Sequence, residues 1–259
     1  MTETTVSGSA LSARGVNKSF GSLVVAADVN LDLPQGVRYA LIGPNGAGKT
    51  TLINLMTGML RPDAGRIFLG TDDITAQPPE QRVRLGLVRT FQINSLFPHL
   101  TALESATLAV CERRRVAGNW WRQLTAYRDE VDEAYDILAA LNLAPVCHRP
   151  TRELAYGQKR LLEIALALAT RPKVLLLDEP AAGVPREESQ ELFTAIAGLS
   201  RDITVLFIEH DMELVFRFAS RVIVLVGGRV LVEGTPAEIA ADERVRAVYL
   251  GKRHGEPRR

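Results

Sequence analysis

Cysteine is scarce in this chain: Cys111 and Cys147 stand far apart, without the paired spacing of a metal site. That excludes a disulfide-stapled scaffold and fits reduced thiols in a cytosolic setting. Long apolar runs are also missing. No stretch of about 18 uninterrupted apolar residues occurs, so nothing reads as a membrane-spanning helix. The nearest candidate, Leu161 to Ala169, is short and carries Glu163. The opening MTETTVSGSALSARG lacks the apolar centre of a signal peptide. Excess charge of either sign is absent too. A net charge of +1 gives no global field toward nucleic acid or an anionic membrane, so no nucleic-acid partner is expected. Repeats and low-complexity tracts do not occur, and the tail from Lys252 to Arg259 reads as polar and frayed.

What remains is ordinary globular material. Charged residues at 24% and hydrophobic residues at 46% exclude extended disorder, and 259 residues suffice for one large domain or two modest ones. Apolar runs at Val37 to Gly43 (VRYALIG), Lys173 to Leu177, Thr204 to Ile208 and Arg221 to Val226 suit parallel strands buried on both faces. Helical spacing at Lys49 to Met56, Arg186 to Leu199 and Asp211 to Phe218 separates them, which predicts a layered α/β core. Leu11 to Leu33 and Gly65 to Leu69 alternate between turn residues and predict an antiparallel β region. Ser95 to Leu143 reads as helices with a break at Gly118-Asn119. Trp120 and Trp121 follow that break, and both core and a membrane-proximal surface are open for them.

Gly43 to Thr50 reads GPNGAGKT. Glycines at 43, 46 and 48 let successive N–H groups turn toward one anion, and the following helix adds the positive end of its dipole. Lys49 reaches the β- and γ-phosphates of a bound triphosphate, and the Thr50 hydroxyl is placed for Mg²⁺. By itself the loop says nucleoside triphosphate and no more. The run Val174 to Glu179 (VLLLDE) ends a buried strand in two acids. Asp178 is then placed to hold the metal through water, and Glu179 to orient or deprotonate the attacking water. The competing reading is that Asp-Glu-Pro caps the next helix.

With both elements present, the order of four weaker signals makes the sequence resemble the ABC transporter ATPases. Phe20 precedes the phosphate loop, Gln92 follows Thr90-Phe91, LAYGQ spans Leu154 to Gln158, and His210 stands in IEHD. The resemblance covers about Leu11 to Gly251. It implies a P-loop (RecA-like) α/β core with an N-terminal antiparallel β subdomain and a helical subdomain. The implied core is 1–92 with 160–251, and the helical subdomain is 93–159, followed by a tail at 252–259. It further implies ATP and Mg²⁺ as ligands. Adenine stacks on Phe20, and the phosphates lie on Gly43, Asn45, Gly46, Ala47, Gly48, Lys49, Thr50 and Thr51. Thr50, Gln92 and Asp178 serve the metal. Glu179, His210 and Lys49 are the implied catalytic residues. Ala155, Tyr156, Gly157 and Gln158 form the variant signature that covers the ATP of a second ATPase subunit.

RTFQINSLFPHLTALES, IEHDMELV, EGTPAEI and RAVYLG are similar to the ATPases of branched-chain amino acid importers. That likeness implies transmembrane permease subunits as partners, a paralogous or identical ATPase subunit, indirectly a solute-binding protein, and a place at the cytoplasmic face of the membrane. Leu96, Phe97 and Leu100 would then line a permease docking groove, with core packing equally open. A lipid or lipopolysaccharide exporter motor and a soluble non-transport ATPase are the alternatives. Two departures stand out. Ala155 replaces the signature serine and removes a hydroxyl donor. Pro185 stands where the family has Asn or Asp, which removes a side-chain hydrogen bond across the dimer interface.

Overall fold

The computed structural model describes residues 8–90, 96–116 and 127–250. Gln92, Trp120, Trp121 and the tail therefore lie outside the described residues. β1 (Ser9–Phe20) and β2 (Leu23–Pro34) form an antiparallel hairpin. β3 (Arg38–Ile42) leads into α1 (Lys49–Thr57), and β4 (Ala64–Leu69) returns to pair with β1. β5 (Asp72–Asp73), α2 (Pro79–Leu85) and β6 (Leu87–Arg89) follow. Then come α3 (Ala102–Arg114), α4 (Arg128–Ala140) and α5 (Tyr156–Ala169). The last third alternates: β7 (Val174–Asp178), α6 (Arg186–Ala197), β8 (Thr204–Ile208), α7 (Met212–Phe218) and β9 (Arg221–Val226). β10 (Arg229–Gly234), α8 (Pro236–Ala241) and α9 (Glu243–Leu250) complete it.

Two sheets result. One is antiparallel, in the order β2-β1-β4-β5; the other runs β10-β9-β3-β8-β7-β6, parallel except for its β10 edge. Strict alternation along the central strands divides the core. Ala40, Ile42, Leu175, Leu177, Val205 and Phe207 face one side, toward α3, α5 and α6. Tyr39, Leu41, Leu176, Leu206 and Ile208 face the other, toward α1 and the antiparallel sheet. Period-2 spacing with both faces covered explains why these strands read as unbroken apolar runs.

Helix ends follow local chemistry. Thr101 and Glu104 cap α3 reciprocally, through 3.1 and 2.7 Å bonds to each other's backbone N–H. The Asp211 carboxylate accepts from Glu213 N–H at 2.8 Å at the start of α7. Two buried arginines close C-terminal ends. Arg38 donates to the carbonyls of Leu199 and Ile203, each at 2.6 Å, just beyond α6. Arg82, 1% exposed, donates to Leu55 and Met56 at the end of α1. Both cysteines are buried and free. Among the described residues no helix is long and apolar enough to cross a membrane.

Candidate ATP site

The strand register brings the candidate residues together. Leu41 of β3 and Asp178 of β7 both lie beside Ile208 of β8. The carboxyl ends of three neighbouring strands therefore carry the GPNGAGKT loop, the paired acids and His210. Ligands of open α/β sheets bind at that edge.

Close approach dictates the glycines of the loop. A Cβ on Gly43 would lie 2.2 Å from the Leu225 carbonyl, and one on Gly48 would lie 2.6 Å from that of Val25. Gly48 also holds φ at +100°, which a side chain would strain. The β9–β10 turn braces the loop from outside: Gly228 N–H donates to Ala47 O at 2.9 Å, while Gly228 O accepts from Ala27 N–H at 2.9 Å. Lys49 opens α1 with its ammonium folded onto the carbonyls of Gly43 (2.6 Å) and Pro44 (3.1 Å). Burial lowers its pKa, opposed by the charges of Glu179 and Asp178. A buried cation beside two carboxylates at a helix N-terminus is arranged to receive phosphate.

An open cleft of about 460 Å³ is lined by Asn45 through Thr51, by Glu179 and His210, and by Leu23 and Val25 of β2. Glu179 Oε1 lies 2.7 Å from His210 Nε2, so the two residues meet directly. Asp178 is held at 2.5 Å by Arg89, which also donates to Asn54 of α1 at 2.7 Å. Neither acid caps α6, whose N-cap is Pro185; the capping alternative fails. Phe20 ends β1 half exposed, with Lys18 Nζ 5.6 Å from its ring centre, on the same hairpin as Leu23. The apolar lining by Leu23 and Val25 escaped the sequence reading, as did the hold of Arg89 on Asp178. Leu23 and Val25 carry no motif of their own.

Ala155, Tyr156, Gly157 and Gln158 do not line this cleft among the described residues. They open α5 against the segment after the paired acids. Tyr156 donates to Ala182 O at 3.3 Å and accepts from Arg160 at 2.9 Å. With no hydroxyl at Ala155, the N-terminus of α5 is satisfied otherwise: Gln158 accepts from Ala155 N–H at 3.0 Å, and Glu188 of α6 from Gly157 N–H at 3.0 Å.

The ABC transporter family profile matches residues 26–182, more than half of the chain. The chain belongs to the ABC transporter ATPases. A second profile, the branched-chain amino acid ATP-binding cassette transporter, matches residues 229–255. The cassette is 39% identical to the high-affinity branched-chain amino acid transport ATP-binding protein BraF of Pseudomonas aeruginosa, over 93% of this chain and 98% of that one. LivG of Escherichia coli K12, of the same description, is also 39% identical over 93% and 98%. Among solved structures, the ADP conformation of MJ1267, an ATP-binding cassette of an ABC transporter, superposes with a TM-score of 0.80 at 30% identity, covering 95% of this chain and all of that one. The α/β P-loop fold expected from the sequence is thus the fold of the molecule, and the cassette is a nucleotide-binding transport ATPase.

Proposed function

We propose that this cassette drives import of branched-chain or related amino acids by a membrane complex. The observation that carries the reading is the 39% identity to BraF and LivG along nearly the whole length of each, reinforced at the C-terminal end by the branched-chain cassette profile. Its working partners are permease subunits, a second ATPase subunit and, through the permease, a solute-binding protein. Its place is the cytoplasmic face of the membrane.

ATP enters the cleft with its phosphates on the loop from Gly43 to Thr51, whose N–H groups beyond Pro44 turn toward them, and its base on the apolar hairpin of Phe20, Leu23 and Val25. Lys49 trades its carbonyl partners for phosphate oxygens, a gain because those oxygens are charged. Thr50 and Gln92, with Asp178 acting through water, would supply the hard oxygen donors that Mg²⁺ takes beside phosphates, a small protein set of the kind that ion uses. When bound, the ion neutralises charge on the phosphates. Glu179 accepts a proton from the attacking water, and His210 fixes the carboxylate and contacts the γ-phosphate. The α5 N-terminus of a second subunit, at Ala155 to Gln158, completes the site. Phosphoryl transfer depends on positioning and charge, so closure of two subunits switches hydrolysis on.

Deleting the chain and measuring uptake of leucine, isoleucine and valine beside unrelated amino acids tests the assignment. Loss confined to the branched-chain group and its relatives is expected. Unchanged uptake with a loss of lipid or lipopolysaccharide export would replace it.

A further inference from the structure

Glu209 stands in IEHD with no role assigned to it above, yet it is 5% exposed, directly before His210. Its Oε1 accepts from Ala181 N–H at 2.9 Å, and its Oε2 accepts from His210 N–H at 3.1 Å. One carboxylate thus joins the loop after β7 to the loop after β8. Those two loops present Glu179 and His210, whose side chains meet at 2.7 Å. Glu179, Ala181, Glu209 and His210 together line a second cleft of about 370 Å³.

Glu179 also sits at φ +49°, a left-handed backbone that disfavours a side chain. Such strain persists where the surroundings over-determine the conformation, and it gathers at functional sites. Here two bonds fix the loop: Glu179 N–H to Ile208 O at 3.1 Å, and Ala181 N–H to Glu209. Burying a carboxylate beside Glu179 is costly, and burial first, with the Glu179 charge adding to it, pushes the Glu209 pKa up against its two N–H bonds. A glutamine would cost less to bury but has a single acceptor oxygen, while its amide nitrogen donates. Because the two N–H groups meet different oxygens, a glutamine in the same place would turn its own N–H₂ toward one of them.

We propose that Glu209 is a positioning residue for ATP hydrolysis, locking the loops after β7 and β8 so that Glu179 and His210 act on the γ-phosphate and water as one unit. The proposal rests on the assignment of Glu179 and His210 to hydrolysis. It is tested on the full chain with Glu209→Gln and Glu209→Asp, each alone and combined with His210→Ala. Turnover is measured by phosphate release, and affinity by equilibrium titration with a fluorescent ATP analogue. Each single variant is expected to lose about 10- to 100-fold in kcat, the scale of an ångström-sized misplacement, with ATP affinity held within about twofold. In the His210→Ala background the same change is expected to cost less than about threefold, because its effect runs through that pair.

Normal kcat in both variants would overturn the proposal. So would losses that multiply in the His210→Ala background, or ATP affinity and thermal midpoint falling in step with kcat, which is the pattern of a packing role. Glu209→Asp keeps the charge and loses the reach, so it serves if Glu209→Gln does not fold. Glu179→Gln is measured alongside: normal turnover there removes the underlying assignment. Normal turnover in the Glu209 variants beside an inactive Glu179→Gln refutes this proposal alone.

Discussion

Arg82→Met removes a guanidinium that is 1% exposed and leaves the apolar stem in place. Four carbonyls lose a charged donor: Leu55 (2.8 Å) and Met56 (2.5 Å) at the end of α1, Gln77 (2.9 Å) and Thr75 (3.0 Å). Charge-assisted bonds contribute about 1.5–3 kcal/mol each, and relief of the buried charge offsets much of that sum. That relief is visible in the arginine itself, whose pKa burial lowers to about 10 against the pull of Asp73. A net loss of about 3 kcal/mol is expected, or about 6–12 °C in Tm for a chain of this size. Arg82 secures the far end of the helix that Lys49 opens, without facing the cleft. The stabilisation from ATP at a hundred times its Kd, about 2.7 kcal/mol, should therefore be the same in parent and variant. Thermal melts with and without ATP measure both quantities. A Tm within 2 °C of the parent, or an ATP-induced shift abolished in the variant, would refute the reasoning.

Lys49→Met should weaken ATP binding about 10- to 100-fold, the range of one charge-assisted bond to phosphate, as read by equilibrium titration. Glu133 is held by Arg113 first, at 2.8 and 2.7 Å, and also by Arg114 and Arg171, which together bring its pKa from 4.5 down to about 2. A depressed carboxylate stabilises the fold above its unfolded pKa and loses that contribution as pH falls through the folded value. Acid denaturation should therefore show up to about 3 kcal/mol vanishing between pH 4.5 and 2, and Glu133→Gln should lack that component. Pro185→Asn should raise the cooperativity of ATP hydrolysis by restoring a polar side chain at the dimer interface; an unchanged Hill coefficient would count against that role.

Much of this was legible because buried parallel strands and a phosphate loop leave dense local signals. VRYALIG, VLLLDE and TVLFI became β3, β7 and β8 because both faces of each are covered, so their apolar runs are continuous. The antiparallel hairpin followed from alternation. Other features lie outside what periodicity carries. β6 is three residues long and is a strand only because β7 lies beside it. Arg82 shares α2 with Glu80 and Arg84 and reads as one of several solvated charges; what buries it is a set of carbonyls as far as 27 residues away. Glu209 looks like one more acid in IEHD until the N–H groups of Ala181 and His210 are seen to converge on it. Ala155 was legible as a missing hydroxyl, but the Glu188 carboxylate at the same helix end comes from 31 residues further along the chain.

Glu179→Gln separates ATP binding from hydrolysis. The change keeps the shape of the side chain and removes its ability to take a proton. Equilibrium ATP titration and single-turnover phosphate release on the same preparation give binding and chemistry separately. If Glu179 is the general base, ATP affinity stays within about twofold of the parent, hydrolysis falls by at least about 10²-fold, the scale of a lost general base, and an ATP-dependent dimer persists. Hydrolysis at the parent's rate would contradict that role.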